Sequence, residues 1–143
     1  MSVEERLSKF LSKKPLIGTD VFIAPSAVVV GDVTLGNNSS VWYNCVLRGD
    51  INSITIGSGT NIQDGVIGHL ADDYPLIVGN RVTVGHGAVI HACKIEDECL
   101  VGMNATVLDG AHIGKQSIVA AGSVVPVGTI VPEGSLFAGV PGK

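Results

Sequence analysis

Residues 95–137 read, in sixes, IEDECL VGMNAT VLDGAH IGKQSI VAAGSV VPVGTI VPEGSL F. Each block opens on an aliphatic residue, from Ile95 through Val101, Val107, Ile113, Val119 and Val125 to Val131, and Phe137 opens the next. A period of six is neither the 3.6 of a helix nor the plain alternation of a lone strand, so it marks a repeat architecture. Toward the N-terminus the same column holds at Val78, Val84 and Ile90, and at Ile56 and Ile62. It begins with Ile17, Ile23, Val29, Leu35, Val41 and Leu47. With Gly68 keeping the place between Ile62 and Val78, the chain has twenty repeats.

A second column tests the register. Strand side chains alternate faces, so the residue two before each aliphatic also points inward. That column includes Val33, Ser39, Cys45, Thr60, Val66, Ala88, Cys93, Cys99, Ala105 and Ser117, all small or β-branched, while Pro15 and the bulkier Ile54 and Leu76 stray. Such repeats resemble the left-handed parallel β-helix, in which three hexapeptides make one triangular coil. The left hand comes from that resemblance, because the general rule for parallel crossovers gives the right. The expected fold is therefore all-β: residues 15–143 form a β-helix domain of six to seven coils, about 4.8 Å apart. Residues 1–14 form an N-terminal amphipathic helical segment. Ser2 to Glu5 reads as a capping box, and Leu7, Phe10 and Leu11 share one face of a helix expected over 3–13. It would cover an apolar patch or the open end of the first coil, and it is short for a membrane-surface role.

Composition narrows the function. Charged residues are 15% and apolar ones 45% of the chain, so much surface must be buried, some of it between subunits. No long uninterrupted apolar run suggests a membrane span, and a net charge of −4 gives no basic footprint for nucleic acid. The start of the chain has no signal-peptide character. Three cysteines, all in the inward column, do not suggest a disulfide framework. The default expectation is a cytoplasmic setting.

The position after each aliphatic points outward. On the third face of the prism it reads Val30, Arg48, His69, His91 and Leu108, which stacks Arg48, His69 and His91 on successive rungs of one edge. Two imidazoles one rung apart can share an ion at zinc–nitrogen distances of about 2.0–2.1 Å. On the second face the column reads Ala24, Trp42, Gln63, Gly85 and then Glu96, if the five-residue step from Ile90 to Ile95 only shortens a corner. His86 falls at the end of that face, roughly a triangle side from His91, out of reach within one chain; if β-helices pack side by side around a threefold axis, it would come from a neighbouring copy. Three neutral histidines with an open fourth position form a hydrating zinc centre. The competing reading is three solvated surface histidines. His112 is expected to be outward and unpartnered.

These residues are similar to the gamma class of carbonic anhydrases. The matching segments are Leu47-Arg-Gly-Asp50, Asn61-Ile-Gln-Asp-Gly65 followed by His69, and Val84-Gly-His86 through Ile90-His91, with the closing Gly139-Val-Pro-Gly142. The resemblance implies a homotrimer that hydrates carbon dioxide to bicarbonate, with His69 and His91 from one subunit and His86 from the next. It implies zinc as the metal, with Fe(2+) or Co(2+) as alternatives. By the same resemblance Gln63 hydrogen-bonds the ion's water or bicarbonate, Asn61 lines the same pocket, Arg48 and Asp64 bridge subunits, and Asp50 holds the arginine. Ile51 stands where the best-studied pattern has a glutamate, and the loop after His69 is only Leu70-Ala-Asp-Asp-Tyr-Pro75, so turnover is expected to be slow. Asp72 or Asp73 could replace that glutamate in proton transfer. Rival functions on this fold are a thioesterase or other metal-dependent hydrolase, a coenzyme A-dependent acyltransferase, and a non-catalytic scaffold subunit.

Overall fold

The computed structural model describes all 143 residues, Met1–Lys143. It is a left-handed parallel β-helix preceded by one short helix; the hexads predict the coils, and the resemblance predicts their hand. Eighteen short strands follow the helix in chain order. The first face starts with Leu16–Ile17 and the second with Phe22–Ile23; the third starts within Val28–Leu35. The second face is a sheet of seven strands stacked in parallel register, running Ile23, Val41, Ile62, Val84, Val101, Val119 and Phe137. The other two faces are joined into one eleven-stranded sheet, because Val28–Leu35 and Val46–Ile56 stay extended around the corner between them.

Both inward columns are buried from Val33 to Ser123, and the aliphatic column on to Phe137; the buried apolar residues form one continuous core of 28. Filling a methyl-rich shaft in this way contributes roughly 1.5–3 kcal/mol per aliphatic side chain, and each coil leans on its neighbours. Gly68 leaves its inward place to others, since a Cβ there would stand 2.6 Å from Leu47 Cδ2 and 3.1 Å from Leu76 Cδ2. Leu76 thus fills the gap, which explains why a large residue occupies the small-residue column. At most corners the chain turns at the third residue after the aliphatic, where φ is positive, as at Asn104 (59°) and Gly110 (71°). Where glycine follows the aliphatic, the neighbouring rung lies too close for a side chain: a Cβ on Gly102 would lie 2.4 Å from Ala121 N.

The hexad is broken three times, always at the corner between the third and first faces. Nine residues separate Leu47 from Ile56, ten separate Gly68 from Val78, and five separate Ile90 from Ile95. The first insertion carries Asp50 and Ile51, and the second is the loop after His69, closed by Ala71 N donating to Tyr74 O at 3.1 Å. The shortened third passage is turned by Ala92 with φ of 48°, a left-handed conformation costly for a residue with a Cβ.

The helix spans Val3–Leu11, two residues shorter than expected, with both capping-box bonds formed: Glu5 N donates to Ser2 Oγ at 3.1 Å and Ser2 N to Glu5 Oε2 at 2.7 Å. It lies on the strands Val28–Leu35 and Val46–Ile56, not over the open end. Leu16 and Ile17 accordingly stay exposed. Arg6 Nη1 to Asp72 Oδ1 at 2.7 Å and Lys13 Nζ to Asp32 Oδ2 at 2.8 Å fasten it. Asp72 is therefore tied to Arg6, and Asp73 alone of the pair is left without an ion-pair partner in the chain. No helix is long and apolar enough to cross a membrane.

Candidate metal centre

His69 and His91 are neighbours across two strands of the third face, in direct register. Their rings lie 5.2 Å apart between centroids, and His69 Nδ1 faces His91 Nε2 at 3.1 Å. The far nitrogen of each ring meets a carboxylate. His69 Nε2 is 2.8 Å from Asp50 Oδ1, and His91 Nδ1 is 2.5 Å from Asp109 Oδ1. An ionised carboxylate can only accept, so each of these far nitrogens carries the ring hydrogen. In the neutral rings the lone pairs are then left on the two facing nitrogens. Two lone pairs at 3.1 Å repel unless a proton or a metal cation stands between them. Two nitrogens bound to one tetrahedral ion at 2.0–2.1 Å sit about 3.3–3.4 Å apart, close to the spacing found. The donor set fits a zinc-type ion.

Asp50 is almost wholly buried, in the first corner insertion. Burial pushes its carboxyl up, but hydrogen bonds from His69 and Arg48 and their charges outweigh this and hold it below the usual carboxylate range. The Arg48 guanidinium contacts the second Asp50 oxygen. The sequence pattern did not reveal that Asp50 also anchors His69, nor that Asp109 anchors His91.

The remaining residues gather elsewhere. His86 ends the second face, with Nδ1 3.0 Å from Asp64 Oδ1 one rung below. Trp42, Asn61, Gln63, Asp64 and His86 line a hollow of about 230 Å³, with neither His69 nor His91 on its wall. Asn61 Oδ1 is buried there with no hydrogen-bond partner. Asp64 does not meet Arg48 within the chain. No three His, Cys, Asp or Glu side chains of the single chain come together as a metal-holding group.

Two expectations need correction. Glu96 lies on the first face, because Lys94–Ile95 pairs with Ile77–Val78; Gly102 follows Gly85 on the second. His112 is not unpartnered, since its Nε2 meets Glu96 Oε1 at 2.8 Å. The two errors share one cause, for placing Glu96 on the wrong face hid the imidazole's partner one rung away.

Residues 14–49 and 92–126 match the family described as bacterial transferase hexapeptide (six repeats). Gamma carbonic anhydrase 2, mitochondrial, of Arabidopsis thaliana is 50% identical over 153 residues, covering 99% of this chain and 55% of the relative. A probable carbonic anhydrase of Methanocaldococcus jannaschii is 53% identical over 128 residues, covering 90% of this chain and 80% of the relative. Among solved structures, a putative acetyltransferase of Bacillus cereus superposes with a TM-score of 0.90 at 43% identity, covering 92% of this chain and 76% of that one. The chain spans little more than half the length of the Arabidopsis relatives it matches.

Proposed function

The chain belongs to the hexapeptide-repeat family of the gamma carbonic anhydrases, and on that premise we propose that it catalyses the reversible hydration of carbon dioxide to bicarbonate at a zinc site shared between subunits of a homotrimer. The observation that carries this reading is the pair of bare imidazole nitrogens 3.1 Å apart, each ring anchored from behind by a carboxylate. His69 Nδ1 and His91 Nε2 are two ligands, and His86 of the partner subunit is the third. Fe(2+) or Co(2+) suits the same imidazole donors. When bound, such an ion supplies a water acidified to a pKa of about 7, a nucleophile at neutral pH.

The chain's own residues do the rest. The Gln63 amide and the unpartnered Asn61 Oδ1 offer a donor and an acceptor on the wall beside His86, suited to orienting bicarbonate. Arg48 and Asp64 keep about half of their side-chain surface exposed in the single chain, at 49% and 45%, which supports an ion pair formed across the subunit boundary. Asp50 aims Arg48. The outward column of the third face, Val28, Val46, Ile67, Val89, Thr106 and Val124, is apolar or β-branched and runs beside the histidine edge. Burying it between copies would suit the low share of charged residues. The cysteines are buried and unpaired, with burial pushing the Cys93 thiol up to about 12. Inert thiols of this kind suit a reducing, cytoplasmic setting; the rival is the mitochondrial setting in the names of the plant relatives.

The description of the Bacillus structure as a putative acetyltransferase favours a second reading, acyl transfer, and the same metal centre could serve a hydrolase. Carbon dioxide hydration by fully zinc-loaded oligomer tests the proposal, run beside ester and acetyl-coenzyme A substrates. Hydration above the uncatalysed rate, abolished by chelation and restored by zinc, is the expected result. A loaded oligomer without hydration in any buffer contradicts it and leaves the hydrolase, transferase or scaffold role.

A further inference from the structure

Asp109 enters the reading above only as the carboxylate behind the His91 ring. It sits one rung beyond His91, in the unbroken hexad from Val107, with side-chain exposure of 35% against 32% for His91. The contact is thus half-sheltered on both sides, unlike a pair of free surface charges. Its corner is held on three sides. Gly110 N donates to Ala92 O at 2.8 Å, Gly128 N donates to Asp109 O at 2.9 Å, and the Tyr74 ring from the loop after His69 rests beside Gly110. A carboxylate on so fixed a corner defines both the rotation of the His91 ring and the nitrogen that bears its hydrogen.

We infer that Asp109 is a positioning residue for the metal, holding His91 in the Nδ1–H form so that Nε2 presents its lone pair toward His69 Nδ1. The inference rests on His69 and His91 being metal ligands. Asp50 acts as the counterpart on the opposite side, accepting from His69 Nε2. The two carboxylates close a line running Asp50, His69, His91, Asp109, in which every ring nitrogen but the facing two is already engaged. Asp109 touches neither the ion nor the substrate. A carboxylate behind a ligating imidazole also makes the ring a stronger base, and loss of such a partner weakens metal binding by about 10–100-fold.

The test compares zinc affinity and zinc release, by chelator competition, in wild-type oligomer and in Asp109→Asn and Asp109→Glu. The Co(2+)-loaded absorption spectrum and the melting temperature of the metal-free form are recorded for each. Asp109→Asn should bind zinc about 10–100-fold more weakly and release it faster, with an altered Co(2+) spectrum and an unchanged metal-free melting temperature. Asp109→Glu, which restores an anionic acceptor, should recover part of the affinity. Wild-type affinity in Asp109→Asn overturns the inference while leaving the metal site standing. An affinity loss matched by a lower metal-free melting temperature assigns Asp109 a merely structural role and also overturns it. A wild-type protein that takes up no zinc sinks the metal reading, and this inference with it.

Discussion

Two edges of the same prism carry the polar chemistry of this chain, and they are built on opposite plans. Beyond the third face, Arg48, Asp50, His69, His91 and Asp109 form an unbroken line of contacts. Every group there is held from behind, and only two nitrogens are left bare. Beyond the second face, His86 has Asp64 alone, and the hollow beside it keeps an unpartnered Asn61 oxygen. The first edge is engaged throughout except at the two facing nitrogens; the second leaves polar groups open. A β-helix cannot fold one edge onto another, because each coil is locked between its neighbours. On this account the halves meet only when the second edge of one copy docks on the first edge of the next.

The largest effect expected from disturbing either half is loss of the ion itself. His86→Ala and His91→Ala should each reduce bound zinc from about one ion per chain to near zero, read by elemental analysis of the purified oligomer. Retention of zinc in His86→Ala would show that the first edge suffices alone and dissolve the contrast. The coils should survive both changes, with the circular dichroism of the β-helix intact.

Next in size is the contact between the halves. Arg48→Ala or Asp64→Ala should weaken association by about 2–5 kcal/mol, the usual cost of truncating one partner of a buried charge pair. Sedimentation at falling protein concentration reads this, and the coils should keep their melting behaviour. Equal oligomer strength in both variants would leave Arg48 to Asp50 alone.

A smaller effect concerns proton release, for which neither edge offers an evident group. Ile51 packs against the core, and Asp72 is engaged by Arg6. Hydration should therefore rise several-fold as imidazole buffer is added at constant pH, since a mobile base replaces the missing one. A rate indifferent to buffer would point to Asp73 or another built-in route.

The smallest effect lies off both edges. On the first face the hydrogen bond from His112, then that from Lys115 N, keeps the Glu96 carboxyl below its ordinary value. A depressed carboxylate pKa stabilises the fold above the unfolded value of 4.5, and the gain is lost as pH falls through the lower folded value. The pair is solvent-screened, so Glu96→Gln should move the melting temperature by no more than about 2 °C at pH 7. Zinc content should not change. A loss of zinc in this variant would extend the metal centre to a face the account leaves out of it.

The inward columns were legible because every sixth residue had to satisfy the same narrow shaft, and Leu76 was odd only until Gly68 made room for it. The stacking of His69 and His91 followed from the same count. Asp109 was missed because it stands in a regular hexad, where nothing interrupts the period. The available signal was an acidic residue one rung beyond a histidine column. The pairing of Arg48 with Asp50 followed from family likeness, but the second bond of Asp50, to His69, depends on how three extra residues loop at the corner, and spacing does not encode that path. Glu96 was assigned to the wrong face because the five-residue step was counted past a corner it in fact turns, which took its partner His112 out of view.

The shared site is tested most directly by mixing His86→Ala with His91→Ala. Neither variant alone should hold zinc or hydrate carbon dioxide. After the two are dissociated together and reassembled, interfaces that join the intact His86 of one to the intact His69 and His91 of the other should regain both zinc and activity. Mixed oligomers that recover neither, or a folded monomer of the wild-type chain holding one zinc, would contradict a centre assembled from two subunits.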